Sequence, residues 1–272
     1  MTREDRINVF LDTYQRSKTT SDKVTNVFYH GTLRNSGAKL PQGALTPITM
    51  VHGGTVGSGY KYAKGMHVAV LNFANAVRFG GYVEYGSNSQ EEGLCRCTDL
   101  FNVLAREECQ AEYYTPNLRE LYQSGYRRAN TEGDMGTDRI IYSRGIKVLK
   151  NDTNYATVAP RRLDVITCAS PSVTLRAHNA YYVYVKRIEQ IVLSAKVNHA
   201  DCLVLGAWGC GAFKQNPYVM ARAFATVLNK YGGCFKKIVF AIKATTAERG
   251  DDAYEVFKDV FEVYYKGKVV EE

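Results

Sequence analysis

Two adjacent carboxylates in this sequence have the type and spacing for acid/base chemistry. Glu91 and Glu92 follow the pair Gly80-Gly81 across a short loop. Glycine lets a backbone approach a ligand closely, and a carboxylate can take up and release protons. Neighbouring residues on a helix point about 100° apart, so these two cannot flank one scissile bond from opposite sides. If the site is catalytic, one glutamate must transfer the proton while the other holds the substrate.

A purely structural interpretation of the same stretch stays open. Ser89 and Glu92 have the spacing of a capping box, in which the side chains bond to backbone N–H groups at a helix start. Acidic residues in a first turn also interact favourably with the helix dipole. This interpretation does not explain why Asn75 and the glycine pair stand just ahead, directly after an apolar strand.

A second glycine-rich stretch could bind an anion. Gly206, Gly209 and Gly211 lie between an apolar strand and a helix that Asn216-Pro217 opens. Free N–H groups of such a loop and helix start attract phosphate. The stretch is neither a Walker loop nor a G-x-G-x-x-G motif, and a tight strand-to-helix turn is the alternative explanation. Phe213 could cover a sugar or a base, or could be an apolar plug.

The composition is compatible with an anionic ligand and gives little support to a metal or a disulfide framework. The chain has 272 residues, a net charge of +8 and a pI near 9.0, which suits a nucleotide or polyphosphate but also an ordinary lysine-rich surface. The seven cysteines and five histidines lack metal-ligand spacing. No apolar run is long enough to span a bilayer, and the start does not resemble a secretory signal. We therefore expect a cytoplasmic protein that does not contact membranes.

The order of the elements that must position these residues predicts an α/β fold. Strands alternate with helices, no linker divides them, and one domain is expected. Ile7, Phe10, Leu11 and Tyr14 predict the buried face of the first helix, and Thr115-Pro116 predicts an N-cap followed by proline. The predicted strands are 24–29, 48–51, 67–73, 139–142, 163–169, 202–206 and 237–242. The predicted helices are 1–18, 89–106, 115–128, 175–198, 216–231 and a last one from 251.

Several of these stretches together resemble one protein family. A glycine run followed six to eight residues later by Gln-Glu-Glu is the signature of poly(ADP-ribose) glycohydrolases, and the chain is similar to their bacterial, macrodomain-type branch over about residues 46–243. The resemblance implies a macrodomain-like three-layer α/β/α sandwich with a central mixed sheet. It would be one catalytic domain over residues 1–272, with 1–45 as a helical extension packed on it. The stretches that carry the resemblance are 71–75, 90–92, 99–100, 164–169 and 203–213.

The resemblance also implies an activity and roles for the polar residues. It implies hydrolysis of ribose–ribose O-glycosidic bonds at the ends of poly(ADP-ribose), which releases ADP-ribose. Glu92 would be the general acid/base, protonating the leaving ribose oxygen and then activating the attacking water. Glu91 would bind the hydroxyl groups of the terminal ribose, Asn75 would bind the same ribose, and Gln90 would support the loop.

The glycines, on the same resemblance, would bind the pyrophosphate from two sides. One side would be Gly80-Gly81 and the other the loop from Gly206 to Phe213, which includes Gly209, Cys210 and Gly211. Phe213 would pack against the ribose. No metal or cofactor is implied. ADP-ribose and its polymer would be the ligands, ADP-ribosylated proteins are further candidate partners, and a monomer is expected.

Two departures from the family pattern leave the substrate open. Tyr82 stands where the family has its third glycine, and Phe79 where it has proline. Tyr82 would either crowd the diphosphate or cover the bound ribose as a lid. Many macrodomains bind the adenine amine with an aspartate after an early strand, where this chain has Gly54. The alternatives are an ADP-ribose-binding macrodomain without activity, and a hydrolase of another ADP-ribosyl conjugate.

Overall fold

An eight-stranded mixed sheet forms the centre of the molecule, in a computed structural model that describes residues 1–31, 33, 43–123, 137–171, 177–243 and 252–272. The strand order is β1-β4-β5-β3-β6-β7-β2-β8. The first three strands of this order pair antiparallel, and every other pair is parallel. The strands are β1 (Thr25–Tyr29), β2 (Ile48–His52), β3 (Val68–Phe73), β4 (Ile140–Lys150), β5 (Thr157–Cys168), β6 (Cys202–Leu205), β7 (Lys237–Ile242) and β8 (Val269–Glu271).

Helices cover both faces of this sheet. Side chains alternate along a strand, so in β3 Ala69 and Leu71 enter one core while Val68 and Val70 enter the other. Helices α7, α8 and α9 pack on the first face and α1 to α4 on the second, which confirms the predicted three-layer α/β/α sandwich. The helices are α1 (Arg3–Ser17), α2 (Thr55–Tyr62), α3 (Gln90–Cys97), α4 (Leu100–Leu104), α5 (Glu107–Cys109), α6 (Thr115–Gln123), α7 (Ala177–Val197), α8 (Pro217–Tyr231) and α9 (Ala253–Tyr264).

The helix predicted over residues 89–106 was wrong, because the chain leaves the helical conformation after Cys97. Thr98 is extended and forms an isolated bridge with Val148 of β4. The buried Asp99 side chain then accepts the Lys147 N–H at 2.8 Å, while the Asp99 N–H donates to the Lys147 carbonyl at 3.2 Å. These contacts with β4 end α3 early, and α4 begins in a new direction.

Smaller expectations also differ from the structure. Thr115 is not an N-cap: its dihedrals are helical, and a π-helical turn over Gln110–Tyr114 precedes it. Helix α2 and the edge strand β8 were not predicted. The predicted end of α6 near residue 128 and the predicted start of α7 at residue 175 lie outside the described residues. Within those ranges, no helix combines the length and apolarity that crossing a bilayer requires.

Helix α1 packs on the layer that contains α3. The Thr13 hydroxyl donates to the Arg96 carbonyl at 2.6 Å, and Arg3 and Arg6 donate to the carbonyls of Tyr85 and Gly86 at 2.7 and 2.5 Å. The side chains that α1 buries are Phe10, Thr13 and Ser17. Leu11 is 47% exposed, so its assignment to the buried face was wrong.

Two substitutions on α1 test this packing. Phe10 is 3% exposed and meets the Phe101 ring edge-on at 4.9 Å, so Phe10→Ala leaves a cavity and we expect a loss of about 3–5 kcal/mol in the free energy of unfolding. Leu11→Ala on the exposed face should change it by less than about 0.5 kcal/mol. Urea unfolding of both variants measures the difference. Similar losses for the two would contradict the orientation of α1.

Candidate active site

The start of α3 brings both glutamates beneath the Gly80-Gly81 turn. Glu91 is 3% exposed and Glu92 is 5% exposed. A Cβ atom at position 81 would lie 2.5 Å from Glu92 Oε1 and 3.3 Å from Glu91 Oε2. The two carboxylates therefore meet at one point, although they leave the helix in different directions.

Backbone geometry explains why this turn contains two glycines. Gly80 and Gly81 have φ values of +66° and +60°, in the left-handed region that disfavours a side chain. A Cβ at position 80 would lie 2.5 Å from the Phe101 ring, and one at position 81 would collide with Glu92. The glycines let the backbone pass directly over the carboxylates. They do not line the large cavity described below.

Glu92 accepts a backbone N–H at each carboxylate oxygen. Tyr82 N–H donates to Oε1 and Ser89 N–H to Oε2, both at 3.0 Å. The second bond, with the reciprocal contact of the Ser89 side chain, forms the predicted capping box. Because Tyr82 belongs to the glycine turn, Glu92 joins that turn to the start of α3. A capping box alone would not require the first bond.

Residues at the end of β3 hold the Glu91 carboxyl group in place by hydrogen bonds. Asn75 N–H donates to its Oε2 at 2.7 Å, and the Asn72 amide donates to Oε1 at 3.3 Å. Burial nevertheless raises the pKa of Glu91 to about 8, and the neighbouring carboxylate of Glu92 adds to this effect. Glu91 can therefore keep a proton at neutral pH and donate it in a hydrogen bond.

Asn75 and Gln90 shape the loop around the glutamates. Asn75 Oδ1 accepts the N–H groups of Val77 and Arg78 at 2.9 and 3.0 Å, which turns the chain towards Gly80. The Gln90 side chain accepts the Phe73 N–H and donates to the Leu71 carbonyl, at 2.8 and 2.9 Å. It thereby fixes α3 against β3.

The Tyr82 side chain lies at the surface beside an arginine. It is 51% exposed, its ring packs 5.0 Å from the Arg78 guanidinium, and Tyr85 packs on the same guanidinium at 5.2 Å. It is not among the residues that line the cavity described below. Its φ of −113° is accessible to any residue, so a side chain at this position causes no backbone strain.

A cavity of about 620 Å³ adjoins the other side of α3. Ser89, Gln90 and Gly93 form one wall, Gly53-Gly54 at the end of β2 forms another, and the loop after β6 forms a third. Glu91 and Glu92 are not among the lining residues, although Ser89 and Gln90 directly before them are. Residues 207–213, which include Gly209, Cys210, Gly211 and Phe213, all line this cavity.

The loop after β6 presents free backbone donors to the cavity. Within the part of the chain that the structure describes, the N–H groups of Gly209, Gly211, Ala212 and Phe213 donate to no protein acceptor, whereas those of Trp208 and Cys210 are bonded inside the loop. Clustered free N–H groups are suited to an anion such as a phosphate. Trp208 is fully buried and donates from Nε1 to the Cys168 carbonyl at 3.0 Å, which anchors the loop.

The glycines of this loop differ in whether packing requires the absence of a side chain. A Cβ at Gly206 would lie 2.7 Å from the Ala241 carbonyl oxygen, and one at Gly209, whose φ is +79°, 2.4 Å from Ser170 Oγ. Both are therefore required by packing. A Cβ at Gly211 would meet no protein atom within 4 Å, so only a ligand would require this glycine. Burial raises the pKa of the Cys210 thiol to about 12, which makes it a poor nucleophile.

Several residues of the site were not singled out from the sequence. Asn72, which is fully buried, could have been noticed in the sequence, because it is a polar residue within an otherwise apolar strand. Arg96, Asp152 and Tyr155 line the cavity, but nothing in their local sequence indicates this. Among the described residues, no group of three or more His, Cys, Asp or Glu side chains could hold a metal ion.

Comparison with a protein family agrees with this geometry. A family model for the catalytic domain of microbial-type PARG matches residues 13–151, just over half of the chain. No curated protein matches the sequence.

Solved structures agree on the fold. The poly(ADP-ribose) glycohydrolase (PARG) of Thermomonospora curvata bound to the inhibitor ADP-HPD is 24% identical and superimposes with a TM-score of 0.77 over 93% of this chain and 98% of its own. The enzyme of Deinococcus radiodurans in complex with ADP-ribose is 22% identical, with a TM-score of 0.70 over 97% of this chain and 93% of its own. These likenesses confirm the macrodomain-like fold.

The raised pKa of Glu91 predicts a pH-dependent loss of stability. Its ordinary pKa of 4.5 applies to the unfolded chain and about 8 to the folded one, so its contribution is complete below pH 4.5 and is lost as the pH rises to 8. Wild type should therefore lose more stability than Glu91→Gln across this window. The expected difference is a few kcal/mol, since one pKa unit is about 1.4 kcal/mol. Parallel curves from urea unfolding at pH 4.5 to 8.5 would show that the carboxyl group is not desolvated.

Proposed function

Because this chain belongs to the family of microbial-type PARG catalytic domains, we propose that it hydrolyses ribose–ribose O-glycosidic bonds at the ends of poly(ADP-ribose), with Glu92 as the acid/base. The bond between the anomeric carbon and the leaving ribose oxygen breaks, and water adds to that carbon. The products are ADP-ribose and a polymer shortened by one unit. The observation that supports this most directly is the meeting of the two carboxylates beneath Gly81.

The two glutamates have environments that suit different roles. Glu92 accepts two backbone N–H groups at the positive end of a helix, and each of its oxygens retains a lone pair for substrate or water. Glu91 has a raised pKa, so its carboxyl group can donate a hydrogen bond to a ribose oxygen. Neighbouring carboxyl groups in different environments commonly divide acid/base work in this way. We therefore assign proton transfer to Glu92 and ribose binding to Glu91, with Asn75 beside it.

The pyrophosphate is proposed to bind at the loop after β6. Four residues that line the cavity there have N–H groups without a protein acceptor among the described residues, and Gly211 leaves room for an anion to approach them. Phe213, on the same loop, would pack against the ribose. Gly80 and Gly81 would act through the glutamates, since they lie over the carboxylates and not at the cavity wall. Tyr82 leaves the cavity open, so neither crowding of the diphosphate nor a closed lid is required.

Other parts of the proposal rest on the sequence alone. They are action in the cytoplasm as a monomer, without a cofactor, and ADP-ribosylated proteins as further partners. A reader of ADP-ribose without hydrolytic activity is the second candidate function, because both Glu92 oxygens already have structural partners. The following experiment separates it from an enzyme.

Glu92→Ala should lose at least about 100-fold in the rate of polymer hydrolysis, the lower end of what a positioned acid/base contributes. Binding of ADP-ribose should stay within about tenfold, since the cavity is lined by other residues. Chromatography of released ADP-ribose and calorimetry with ADP-ribose provide the two measurements.

Ser89→Ala is the matched control, because it removes the other side chain of the capping box but keeps the backbone N–H that bonds to Glu92. It should lower stability by about 1 kcal/mol, as lost caps do, and keep polymer turnover within tenfold. If Glu92→Ala turns over polymer as fast as Ser89→Ala, Glu92 is only a cap and the assignment is wrong.

Gly211→Val should weaken ADP-ribose binding at least tenfold and AMP binding less, because the new side chain would stand where the diphosphate approaches the loop. The fold should tolerate it, since nothing lies within 4 Å of the new Cβ. Gly65→Val is the control: Gly65 also has open space around its Cβ but lies outside the cavity. Calorimetry with both ligands decides, and equal losses for ADP-ribose and AMP would place the diphosphate elsewhere.

A further inference from the structure

Two exposed aromatic side chains beside the glycine turn take no part in the function proposed above. Tyr82 and Tyr85 are 51% and 53% exposed. Tyr82 precedes a single 3₁₀ turn over Val83–Tyr85, and the Val83 side chain inside this turn is fully buried. Because a 3₁₀ helix has about three residues per turn, positions 82 and 85 lie on the same side of it. The centroids of the two rings are accordingly 6.3 Å apart.

The Arg78 side chain holds both rings in place. Its guanidinium lies over the Tyr82 ring at 5.0 Å and over the Tyr85 ring at 5.2 Å. Its Nε donates to the Gly81 carbonyl at 2.8 Å, and its Nη2 donates to the Glu84 carboxylate at 2.9 Å. The rings are therefore positioned before a ligand binds, which lowers the entropic cost of binding. We call the side chains of Arg78, Tyr82 and Tyr85 the tyrosine platform.

The tyrosine platform begins at the residue that bonds to the proposed acid/base. Tyr82 N–H donates to Glu92 Oε1 at 3.0 Å. The leaving oxygen must lie within about 3 Å of one Glu92 oxygen to take its proton, and hence within about 8 Å of the Tyr82 backbone nitrogen. The group that is bonded to this oxygen is thus within reach of the Tyr82 ring.

In poly(ADP-ribose), that group contains a base. The leaving oxygen belongs to the ribose that carries the adenine of the remaining polymer, and the oxygen and the base are on neighbouring carbon atoms of this ribose. The adenine of the released ADP-ribose, by contrast, is separated from the reacting carbon by a diphosphate and a second ribose. The platform therefore suits the adenine of the leaving unit rather than the adenine of the released one.

The charge of the platform favours a base over a diphosphate. The Arg78 guanidinium is already paired with the Glu84 carboxylate at 2.9 Å. This carboxylate repels an anion and compensates the charge that would attract one. A half-exposed tyrosine ring, in contrast, can stack on a base without any net charge.

We propose that Tyr82 stacks on the adenine of the leaving unit, so that the tyrosine platform is a subsite for the remaining polymer. This inference rests on the function proposed above, since it concerns the bond that Glu92 would help to break. It gives the enzyme a preference for polymer over an ADP-ribosyl group whose leaving group lacks a base. It also explains what a tyrosine contributes at a position that is glycine in the family pattern.

Two dimers of ADP-ribose test the proposal, the natural one and a counterpart in which a hydrogen atom replaces the adenine of the leaving unit. Wild type should hydrolyse the natural dimer with a kcat/KM at least about fivefold higher, the lower end of what stacking on one base contributes. In Tyr82→Ala this preference should fall below about twofold, while the base-free dimer is hydrolysed within about twofold of the wild-type rate. Tyr82→Phe, which keeps the ring, should keep the preference. Chromatography of the remaining dimer measures both rates.

The base-free dimer separates stacking from an indirect effect on Glu92. Both variants keep the backbone N–H that bonds to Glu92. Equal losses of Tyr82→Ala on the two dimers would show that Tyr82 acts through Glu92 or through the fold, and would overturn the proposal. Tyr182→Ala is the matched control, because it removes a tyrosine of α7 that is 66% exposed and packs on the opposite side of the sheet. It should keep the wild-type preference.

Glu84→Gln tests whether the platform binds a diphosphate instead. It removes the negative charge beside Arg78, so stacking on a base should leave both rates within about twofold. A rise of about fivefold or more on both dimers would assign the platform to the diphosphate and overturn the proposal. Equal hydrolysis of the two dimers by wild type would overturn this inference and leave the proposed function standing. Hydrolysis of neither dimer would overturn both.

Discussion

The burial of two neighbouring carboxyl groups constrains every segment around the start of α3. An unpaired buried carboxylate is costly, and it persists only where hydrogen bonds compensate it. Here the compensating N–H groups come from the end of β3, from the glycine turn and from the residue before α3. Each of these segments must be in place before the glutamates can be buried. The burial of the two carboxyl groups and the folding of the segments around them therefore depend on each other.

Helix α3 is the element through which this constraint reaches the cavity. Its first turn holds the carboxylates on one side and presents Ser89, Gln90 and Gly93 to the cavity on the other. The hydrogen bonds of the Gln90 side chain to β3 fix the position of α3 along that strand. These bonds therefore also fix the two carboxyl groups relative to the cavity wall that Ser89, Gln90 and Gly93 form. Positioning of this kind contributes much of the rate in enzymes that act on bound groups.

Features determined by local sequence could be predicted, and features determined by contacts between distant segments could not. The strands of the centre, the helix cap at Asn216 and the capping box of Ser89 and Glu92 follow from periodicity and from local side-chain hydrogen bonds. The break at Thr98 depends on a bridge to Val148, about fifty residues away. Asp152 belongs to an ordinary polar turn in the sequence, and only the packing of that turn against α2 places it in the cavity.

The negative φ of Tyr82 also allows residues other than glycine at the third position of the family pattern. Of the three consecutive positions that are glycine in the family pattern, only the first two have positive φ here and lie too close to other side chains to carry one. The third contributes a backbone N–H to Glu92, and every residue except proline has this group. Evolution can therefore vary the third position without disturbing the carboxylates. A side chain at the third position is therefore compatible with both hydrogen bonds of the Glu92 carboxylate.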